Sequence, residues 1–297
     1  MKYTTCQICF SELCFSAKAV VSPWIRSLGV RHQRTSKFMI CYNCRSGFFD
    51  YRYSDDDMSK IYSDYRGDTY LSIRSKWEPW YNQTFNKEHD SEDFVLMRQA
   101  SLYNFLFKLL PSFTKTIVDV GGDRGQYIPD FGQTESYVIE SSSKKLVNGV
   151  TRLTSFDKMT KADLILYSHV LEHVANPKEE IEKLLRHCDQ LYVEVPFGIP
   201  DVSRIRKSKT RFLLKLLAST SPFIWRKSAT PATGRSSKQG VLVQSEHINF
   251  FTEESLQKLA EMLKLEAHIE VNSIKTPDRA EAKVIQCLLS PLKEKEI

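Results

Sequence analysis

Four cysteines have the types and spacing of metal ligands. Cys6 and Cys9 form one C-x-x-C pair near the start of the chain, and Cys41 and Cys44 form a second. Four thiolates suit a tetrahedral Zn²⁺ ion in a closed structural site. A metal would supply folding energy that the few apolar residues of a small module over 1–50 could not. The alternative, unpaired cysteines in a core, is disfavoured because paired knuckles are specific.

A second group of residues could hold a nucleotide. Apolar residues around Asp119 predict a buried strand, and a turn with glycines at 121, 122 and 125 follows it. A shorter apolar run then ends at Glu140. Glycines let a ligand approach the main chain, and a carboxylate at the tip of the next strand can accept hydrogen bonds from ribose hydroxyls. The pattern departs from G-x-G-x-x-G, so it is weak by itself.

Residues 162–177 read ADLILYSHVLEHVANP. With the glycine turn and the acidic strand end, this stretch resembles the class I S-adenosylmethionine (SAM) methyltransferases, whose fourth strand often reads D-L-I-x-x-x-H-V-L-E-H-V-x-x-P. The three motifs occur in the family's order and at its spacing, and the resemblance covers about residues 95–290. It implies a doubly wound α/β fold with a seven-stranded Rossmann-like sheet. Asp123 stands where the family usually has glycine, so the turn could sit differently around the methionine end of SAM.

The resemblance also implies which residues bind SAM. They lie in the glycine turn, at the end of the next strand and at the end of the fourth strand: Asp119, Gly121, Gly122, Gly125, Glu140, Ser168 and His169. On a helical turn His169, Glu172 and His173 would share one face. His173 is a candidate catalytic residue, and a packing role is the alternative. A catalytic metal is a third interpretation, because H-x-x-E-H is similar to the E-x-x-E-H metal site of the small-RNA 2′-O-methyltransferases.

Methyl transfer from a sulfonium is an in-line displacement, and an oxygen or carbon acceptor must also lose a proton. The pair Glu246 and His247 resembles the E-H-x-x-Y/F segment that supplies the proton-transfer pair in sugar C-methyltransferases. His247 could act as the base, with Glu246 orienting it or acting beside it. Ser245 and Phe250 stand where histidine and tyrosine are frequent in that subgroup. A structural role for His247 is the alternative.

These residues require three segments to position them. We expect a zinc-binding knuckle module over 1–50, an aromatic-rich connecting or cover segment over 51–90, and a SAM-dependent methyltransferase domain over 91–297. A zinc knuckle ahead of such a core resembles a subgroup that acts on sugars. In that subgroup the aromatic segment folds over the SAM pocket. The alternative is that its rings pack between the module and the core.

A basic insertion interrupts the last domain over 203–245. It carries ten Lys or Arg and no acid, and its first half, 203–227, is also apolar. That combination suits anionic lipid headgroups or substrate phosphates, so peripheral membrane contact is one expectation. The alternative is a solvent-exposed lid whose basic side chains bind no ligand.

Bulk properties leave these interpretations in place. The 297 residues are 41% hydrophobic and 26% charged, with a net charge of +6. No secretory signal or spanning segment is visible, and seven cysteines, an odd number and mostly clustered, fit a reducing compartment better than a disulfide framework. We therefore expect the cytoplasm, with the inner membrane face as a further possibility. The preferred function is methylation of a lipid- or nucleotide-linked sugar or a surface polysaccharide. The alternatives are RNA methylation, although no RNA-binding module is recognisable, and a non-catalytic binding protein.

Overall fold

The computed structural model describes residues 3–30, 33–110, 114–132, 134–140, 142, 144–159, 161–200, 202, 209–228, 241–275 and 281–292. The strands are β1 (Cys14–Val21), β2 (Thr35–Cys41), β3 (Gly47–Phe49), β4 (Thr116–Val120), β5 (Glu135–Ile139), β6 (Val150–Leu153), β7 (Ala162–Ser168), β8 (Cys188–Pro196), β9 (Leu242–Gln244), β10 (Asn249–Phe250), β11 (Leu265–Lys275) and β12 (Glu281–Pro291). The α-helices are α1 (Pro23–Ser27), α2 (Asp55–Tyr62), α3 (Asp68–Trp77), α4 (Gln83–His89), α5 (Glu92–Leu106), α6 (Pro177–Leu185), α7 (Lys209–Ala218), α8 (Pro222–Ser228) and α9 (Glu253–Leu263).

The chain divides into two compact units. The first unit comprises Met1–Lys87 and Gly198–Phe251, and the second comprises Glu88–Phe197 and Thr252–Ile297. This division differs from the predicted one, which placed 198–251 in the methyltransferase domain and made 51–90 a separate segment. The reason is strand pairing, because β9 and β10 join the sheet built by the N-terminal strands. Much of the basic insertion, 203–208 and 229–240, lies outside the described residues.

The first unit is built on a five-stranded sheet with the order β10-β3-β2-β1-β9. β1 pairs antiparallel with β2, and β2 with β3, whereas β9 runs parallel to β1 with Ala19 opposite Leu242. Phe38 and Phe49 are buried in a small cluster on this sheet, and their rings meet edge to face. This core is more extensive than the composition of residues 1–50 predicts, because β9 and β10 come from a distant part of the chain.

Most of the aromatic residues of 51–90 belong to the core of the first unit. Tyr70, Trp77 and Tyr81 are buried in a cluster that also contains Trp24 and Trp225. The rings meet mainly edge to face, the arrangement that the ring quadrupole favours. Helix α2 begins with a capping box at Ser54, whose side chain accepts a hydrogen bond from the Asp57 N–H. These rings therefore pack inside the first unit.

The second unit is a doubly wound sheet with the order β11-β12-β8-β7-β4-β5-β6. β6, β5, β4, β7 and β8 are parallel, and β12 is antiparallel to both β8 and β11. The predicted seven-stranded α/β sheet is confirmed. Strand order reverses between β4 and β7, where Ile117 lies opposite Leu164. In open α/β sheets the ligand site lies at this switch point, outside the carboxyl ends of the strands.

Helices of the second unit cover the sheet. α5 buries Leu102, Phe105 and Leu106 against β-strand residues that include Tyr192. α6 has Asn176 as its N-cap and Pro177 in its first turn, where proline is tolerated because it has no N–H to leave unsatisfied. Among the helices of the described residues, none has the length and apolar character needed to cross a membrane.

Candidate active site

The turn after β4 requires its glycines. Gly121 has φ +76°, and a Cβ there would lie 2.8 Å from a methyl group of Val170. A Cβ on Gly122 would lie 2.2 Å from the Asp119 carboxylate, and Gly125 has φ +74°. Side chains at these positions would collide with the residues that pack against the turn. The turn therefore presents bare backbone at the switch point of the sheet.

Asp123 takes the backbone conformation that a glycine would allow. Its φ is +53°, in the left-handed region that aspartate tolerates better than most residues. The Asp123 carboxylate pairs with Lys144 at 3.0 Å, and its N–H donates to Glu140 Oε2 at 3.2 Å. The substitution noted in the sequence is therefore accommodated without loss of the turn.

Glu140 follows β5 and faces the glycine turn. Its Oε1 accepts a hydrogen bond from the Ser142 N–H at 3.0 Å. Arg152 donates to the main-chain oxygens of Glu140 at 3.1 Å and Ser142 at 2.7 Å, which fixes the loop after the strand. Two backbone N–H groups thus hold the Glu140 carboxylate where the predicted ribose contact requires one, and the Arg152 guanidinium holds the main chain beside it.

Asp119 lies beneath the turn and is 3% exposed. Burial raises the pKa of its carboxyl to about 7, and the nearby charge of Glu140 acts in the same direction. Arg98 opposes this shift. Asp119 is therefore poised to be neutral or charged near physiological pH, depending on what occupies the space beside it.

His169 lies at the end of β7 in a network of buried charges. Its Nε2 is 2.9 Å from Glu194 Oε1, and its Nδ1 is 3.4 Å from Glu172 Oε1. Arg98 also pairs with Glu194, and the Tyr192 hydroxyl donates to that carboxylate at 2.8 Å. The His169 backbone has φ +56°, a strained conformation that is common at functional sites. The network therefore orients the His169 ring at the switch point.

The sequence analysis did not identify Arg98 and Glu194. Each is a charged residue within an apolar stretch, Arg98 in α5 and Glu194 in β8, and both are buried. A lone charge in a buried strand was the available signal, because such charges are almost always paired. Its partner could not be deduced, since the two residues are separated by 96 positions.

We expect nuclear magnetic resonance titration to show an unusually basic His169. Burial alone would lower its pKa, but hydrogen bonds to Glu172 and Glu194 and their charges raise it to about 9. Because the folded-state pKa exceeds the unfolded value, this contribution to stability is present below about pH 6.5 and is lost as pH rises through 9. Glu194→Gln should lower the His169 pKa. Titration of wild-type His169 near its ordinary value would contradict this prediction.

Ser168 and His173 flank this network. The Ser168 hydroxyl oxygen is buried and, among the described residues, has no hydrogen-bond partner. His173 is largely buried, with Nε2 3.9 Å from Glu172 Oε1, and its N–H donates to the Val170 oxygen at 2.9 Å. The predicted catalytic role of His173 stays a prediction.

The second unit thus brings together all the predicted SAM-binding residues. They fit SAM on three observations: a glycine turn with no room for side chains, a fixed carboxylate at the tip of β5, and a buried Ser168 hydroxyl without a partner. Glu140 would take the ribose, and the turn from Gly121 to Gly125 would take the methionine end.

Glu140→Ala is expected to weaken SAM binding by about 10- to 100-fold, since hydrogen bonds to a charged group contribute about 1.5–3 kcal/mol each. Isothermal titration calorimetry with SAM and its demethylated product would measure the change. Glu135→Ala is the matched control, because Glu135 is an exposed acid at the other end of β5. Equal affinities for Glu140→Ala and wild type would contradict the assignment.

In the first unit the four predicted metal ligands converge. The sulfur atoms of Cys6, Cys9, Cys41 and Cys44 all lie within 4.8 Å of one another. The Cys6–Cys44 and Cys9–Cys41 sulfur pairs are each 3.5 Å apart. Four bonds of about 2.3 Å to a central ion would place tetrahedral sulfurs about 3.8 Å apart, so the cluster matches a zinc site.

The two knuckles share one backbone geometry. The N–H of Phe10 donates to the Cys6 oxygen at 3.0 Å, and the N–H of Arg45 donates to the Cys41 oxygen at 3.1 Å. Phe10 and Arg45 both have positive φ, +57° and +61°. A hydrogen bond with Cys44 lowers the pKa of Cys6 to about 5. The same hydrogen bond raises the pKa of Cys44, and burial raises that of Cys41. Two repeated turns that gather four thiols, one of them with a lowered pKa, are suited to binding a cation.

Glu246 is fixed by residues from distant parts of the first unit. Arg74 Nη2 lies 2.7 Å from Glu246 Oε1, and the Ser245 hydroxyl donates to Oε2. Trp24 Nε1 donates to the Ser245 hydroxyl at 3.1 Å, and the Tyr53 hydroxyl donates to the Ser245 main-chain oxygen at 2.9 Å. The segment before His247 is therefore held by both the N-terminal module and the aromatic segment.

Arg74 is buried at the centre of an aromatic cage. Its guanidinium lies over four rings, at 4.8 Å from Trp24, 5.7 Å from Tyr70, 5.4 Å from Trp80 and 4.1 Å from Tyr81. Burial would lower the pKa of Arg74, but Glu246 and other neighbours raise it well above the ordinary value. A permanent cation therefore lies in contact with the Glu246 carboxylate. Glu246 is thus held in place by a cation, and the half-buried His247 follows it in the chain. The predicted roles of Glu246 and His247 in proton transfer stay predictions.

Sequence reasoning missed Arg74 and its second partner, Glu78, whose carboxylate lies 3.0 Å from Arg74 Nε. The i,i+4 spacing of these two opposite charges was the available signal. The structure places Glu246 and His247 in the first unit with the cysteines, and His173 in the second unit with the SAM-binding residues.

Several solved structures of methyltransferases are similar to this chain at low sequence identity. Among curated proteins, none matches the chain in sequence. For two solved structures the similarity covers most of their length. One is the plantazolicin methyltransferase BpumL with the demethylated cofactor SAH, at 14% identity over 75% of this chain and 95% of that chain, with a TM-score of 0.40. The other is magnesium protoporphyrin IX methyltransferase from Synechocystis PCC 6803 with bound SAH, at 14% identity over 72% of this chain and 97% of that chain, with a TM-score of 0.38. The N-terminal domain of EvdMO1 with SAH is similar at 14% identity over 68% of this chain and 82% of that chain, with a TM-score of 0.40.

These likenesses are too distant to bear on the substrate. The sequence profile described as "Methyltransferase domain" matches residues 89–267, which covers more than half of the chain and every predicted SAM-binding residue. The chain therefore belongs to the methyltransferase-domain family and is a class I SAM-dependent methyltransferase.

Proposed function

We propose that the protein transfers the methyl group of SAM to a sugar, either nucleotide-linked or part of a surface polysaccharide. When bound, SAM supplies a methyl group on a positively charged sulfur that an oxygen or carbon nucleophile can attack. The protein must bind the cofactor through the Glu140 and glycine-turn site, and a base must remove the acceptor's proton. His247 is that base in this proposal, and Glu246 orients it.

The observation that carries the proposal is the anchoring of Glu246. Three sequence features pointed to sugar methylation: the cysteine module, the aromatic segment and the Glu246–His247 pair. In the first unit, Trp24 of the cysteine module donates a hydrogen bond to Ser245. Arg74 of the aromatic segment pairs with Glu246. Because these three features converge on one fixed carboxylate, they support the proposal that the first unit binds and orients the methyl acceptor. Preorganised groups of this kind lower the cost of aligning acceptor and base.

We propose that Zn²⁺ occupies the Cys6, Cys9, Cys41 and Cys44 cluster in a structural role. Four thiolates would leave no open position for a substrate, which separates this site from catalytic zinc centres. The ion would tie the start of the chain to the end of β2, since Cys41 is the last residue of that strand. Its function would be to stabilise the sheet that β9 and β10 complete.

A labelled-methyl assay tests the proposal. Purified protein and SAM carrying a labelled methyl group would be incubated separately with nucleotide sugars, with surface glycans and with total RNA. We expect label in a sugar fraction, and its loss in His247→Ala. Label only in RNA would overturn the sugar assignment. Absence of any SAM binding by calorimetry would instead favour a non-catalytic protein.

A further inference from the structure

Two adjoining helices of the first unit, α7 and α8, expose large apolar side chains to solvent. These side chains, with their exposed fractions, are Leu213 (57%), Leu214 (61%), Leu217 (67%), Phe223 (66%) and Ile224 (51%). On α7 the three leucines are spaced i, i+1 and i+4, so they share one face. Single exposed apolar residues are ordinary, but a group of this size marks a binding surface.

The opposite faces of the same helices anchor them to the first unit. Ala218 and Trp225 are buried in its aromatic core cluster. Lys215 is also buried, and its Nζ lies 3.8 Å over the Trp225 ring. Burial lowers the pKa of Lys215 to about 8. Because the inner face already supplies the packing that holds α7 and α8, the outer leucines are not needed for the core.

Basic side chains accompany the exposed apolar side chains on α8. Arg226 and Lys227 are exposed on α8, and Lys227 Nζ lies 4.3 Å from the centre of the Phe223 ring. In sequence, 203–245 carries ten Lys or Arg and no acid. A protein partner would need an acidic apolar surface, whereas an anionic bilayer offers both an acidic headgroup layer and an apolar interior.

We propose that α7 and α8 bind the surface of an anionic membrane, with the five apolar side chains inserted below the headgroups and the basic residues in contact with them. Short helices with one apolar outer face lie in the interface plane rather than across the bilayer. At ten and seven residues, α7 and α8 are far too short to span it. The proposal does not depend on the acceptor, although a lipid-linked glycan would be presented at the same surface.

Vesicle co-sedimentation tests this proposal with the full chain. We expect wild type to bind vesicles of equal phosphatidylglycerol and phosphatidylcholine, and to bind pure phosphatidylcholine at least about tenfold more weakly. Raising salt to about 1 M shortens the Debye length to about 3 Å and should release much of the bound protein. The double variant Leu214→Asp/Leu217→Asp should lose at least about tenfold in affinity, because two apolar side chains no longer leave water.

Leu96→Asp is the matched control, because Leu96 is equally exposed, at 55%, but lies on α5 of the second unit. It should bind vesicles as wild type does. Phe223→Asp provides an independent test on α8, and unchanged thermal unfolding of each variant would show that folding is intact. Absence of wild-type binding to anionic vesicles, or full binding by the double variant, would overturn the proposal. A wild-type dimer that the double variant dissociates, without vesicle binding, would assign the surface to a second copy instead.

Discussion

Replacing His247 by alanine is expected to reduce the turnover number for methyl transfer by about 10²- to 10⁴-fold, the range that general-base catalysis contributes. SAM affinity should stay unchanged, because His247 is not one of the predicted SAM-binding residues. The pH dependence of turnover in wild type should contain an ionisation that disappears in the variant. Steady-state kinetics between about pH 6 and 9, with calorimetry for SAM, would measure both effects.

His268→Ala is the control for this prediction. His268 is a half-exposed histidine on β11 that pairs with Glu270 at 3.2 Å, and it is not one of the predicted site residues, so its loss removes an imidazole of no predicted role. Its turnover should equal that of wild type. If His247→Ala kept full activity with an unchanged pH profile, His247 would be structural, and another base would have to be found.

Loss of the metal is expected to unfold the first unit. Structural zinc in small modules contributes an apparent binding free energy of about 10–16 kcal/mol, which is comparable with or larger than the stability of a typical domain. Cys6→Ser or Cys41→Ser should therefore lower the metal content from about one zinc per chain and make the first unit sensitive to protease. Elemental analysis and limited proteolysis, with and without a chelator, would measure this.

Cys14→Ser is the matched control for the cysteine variants. Cys14 begins β1 opposite Cys41 but is not one of the four clustered sulfurs. Its replacement should leave both metal content and protease resistance unchanged. Two results together would contradict this prediction: purified wild-type protein that contains no zinc, and a Cys6→Ser variant that melts at the wild-type temperature. They would show that the four thiols form a metal-free core.

The sequence alone determined the local elements of both sites. The apolar run before Gly121, the acidic end of the next strand and the stretch around His169 predicted parallel strands whose carboxyl ends converge, and the sheet confirms them. The paired cysteines predicted a four-sulfur cluster, which the structure shows. These features are readable because strand periodicity, turn chemistry and ligand spacing are each encoded within a few residues.

Only the tertiary structure decided how distant segments combine. Residues 198–251 return to the N-terminal sheet through pairing of β9 with β1, and Arg74 meets Glu246 across 172 positions. Arg98 and Glu194 meet in the same way within the second unit. Burial of a charge requires a partner, but any opposite charge elsewhere in the chain would satisfy that requirement. The local pattern thus specified which groups needed partners, and only the packed structure selected them.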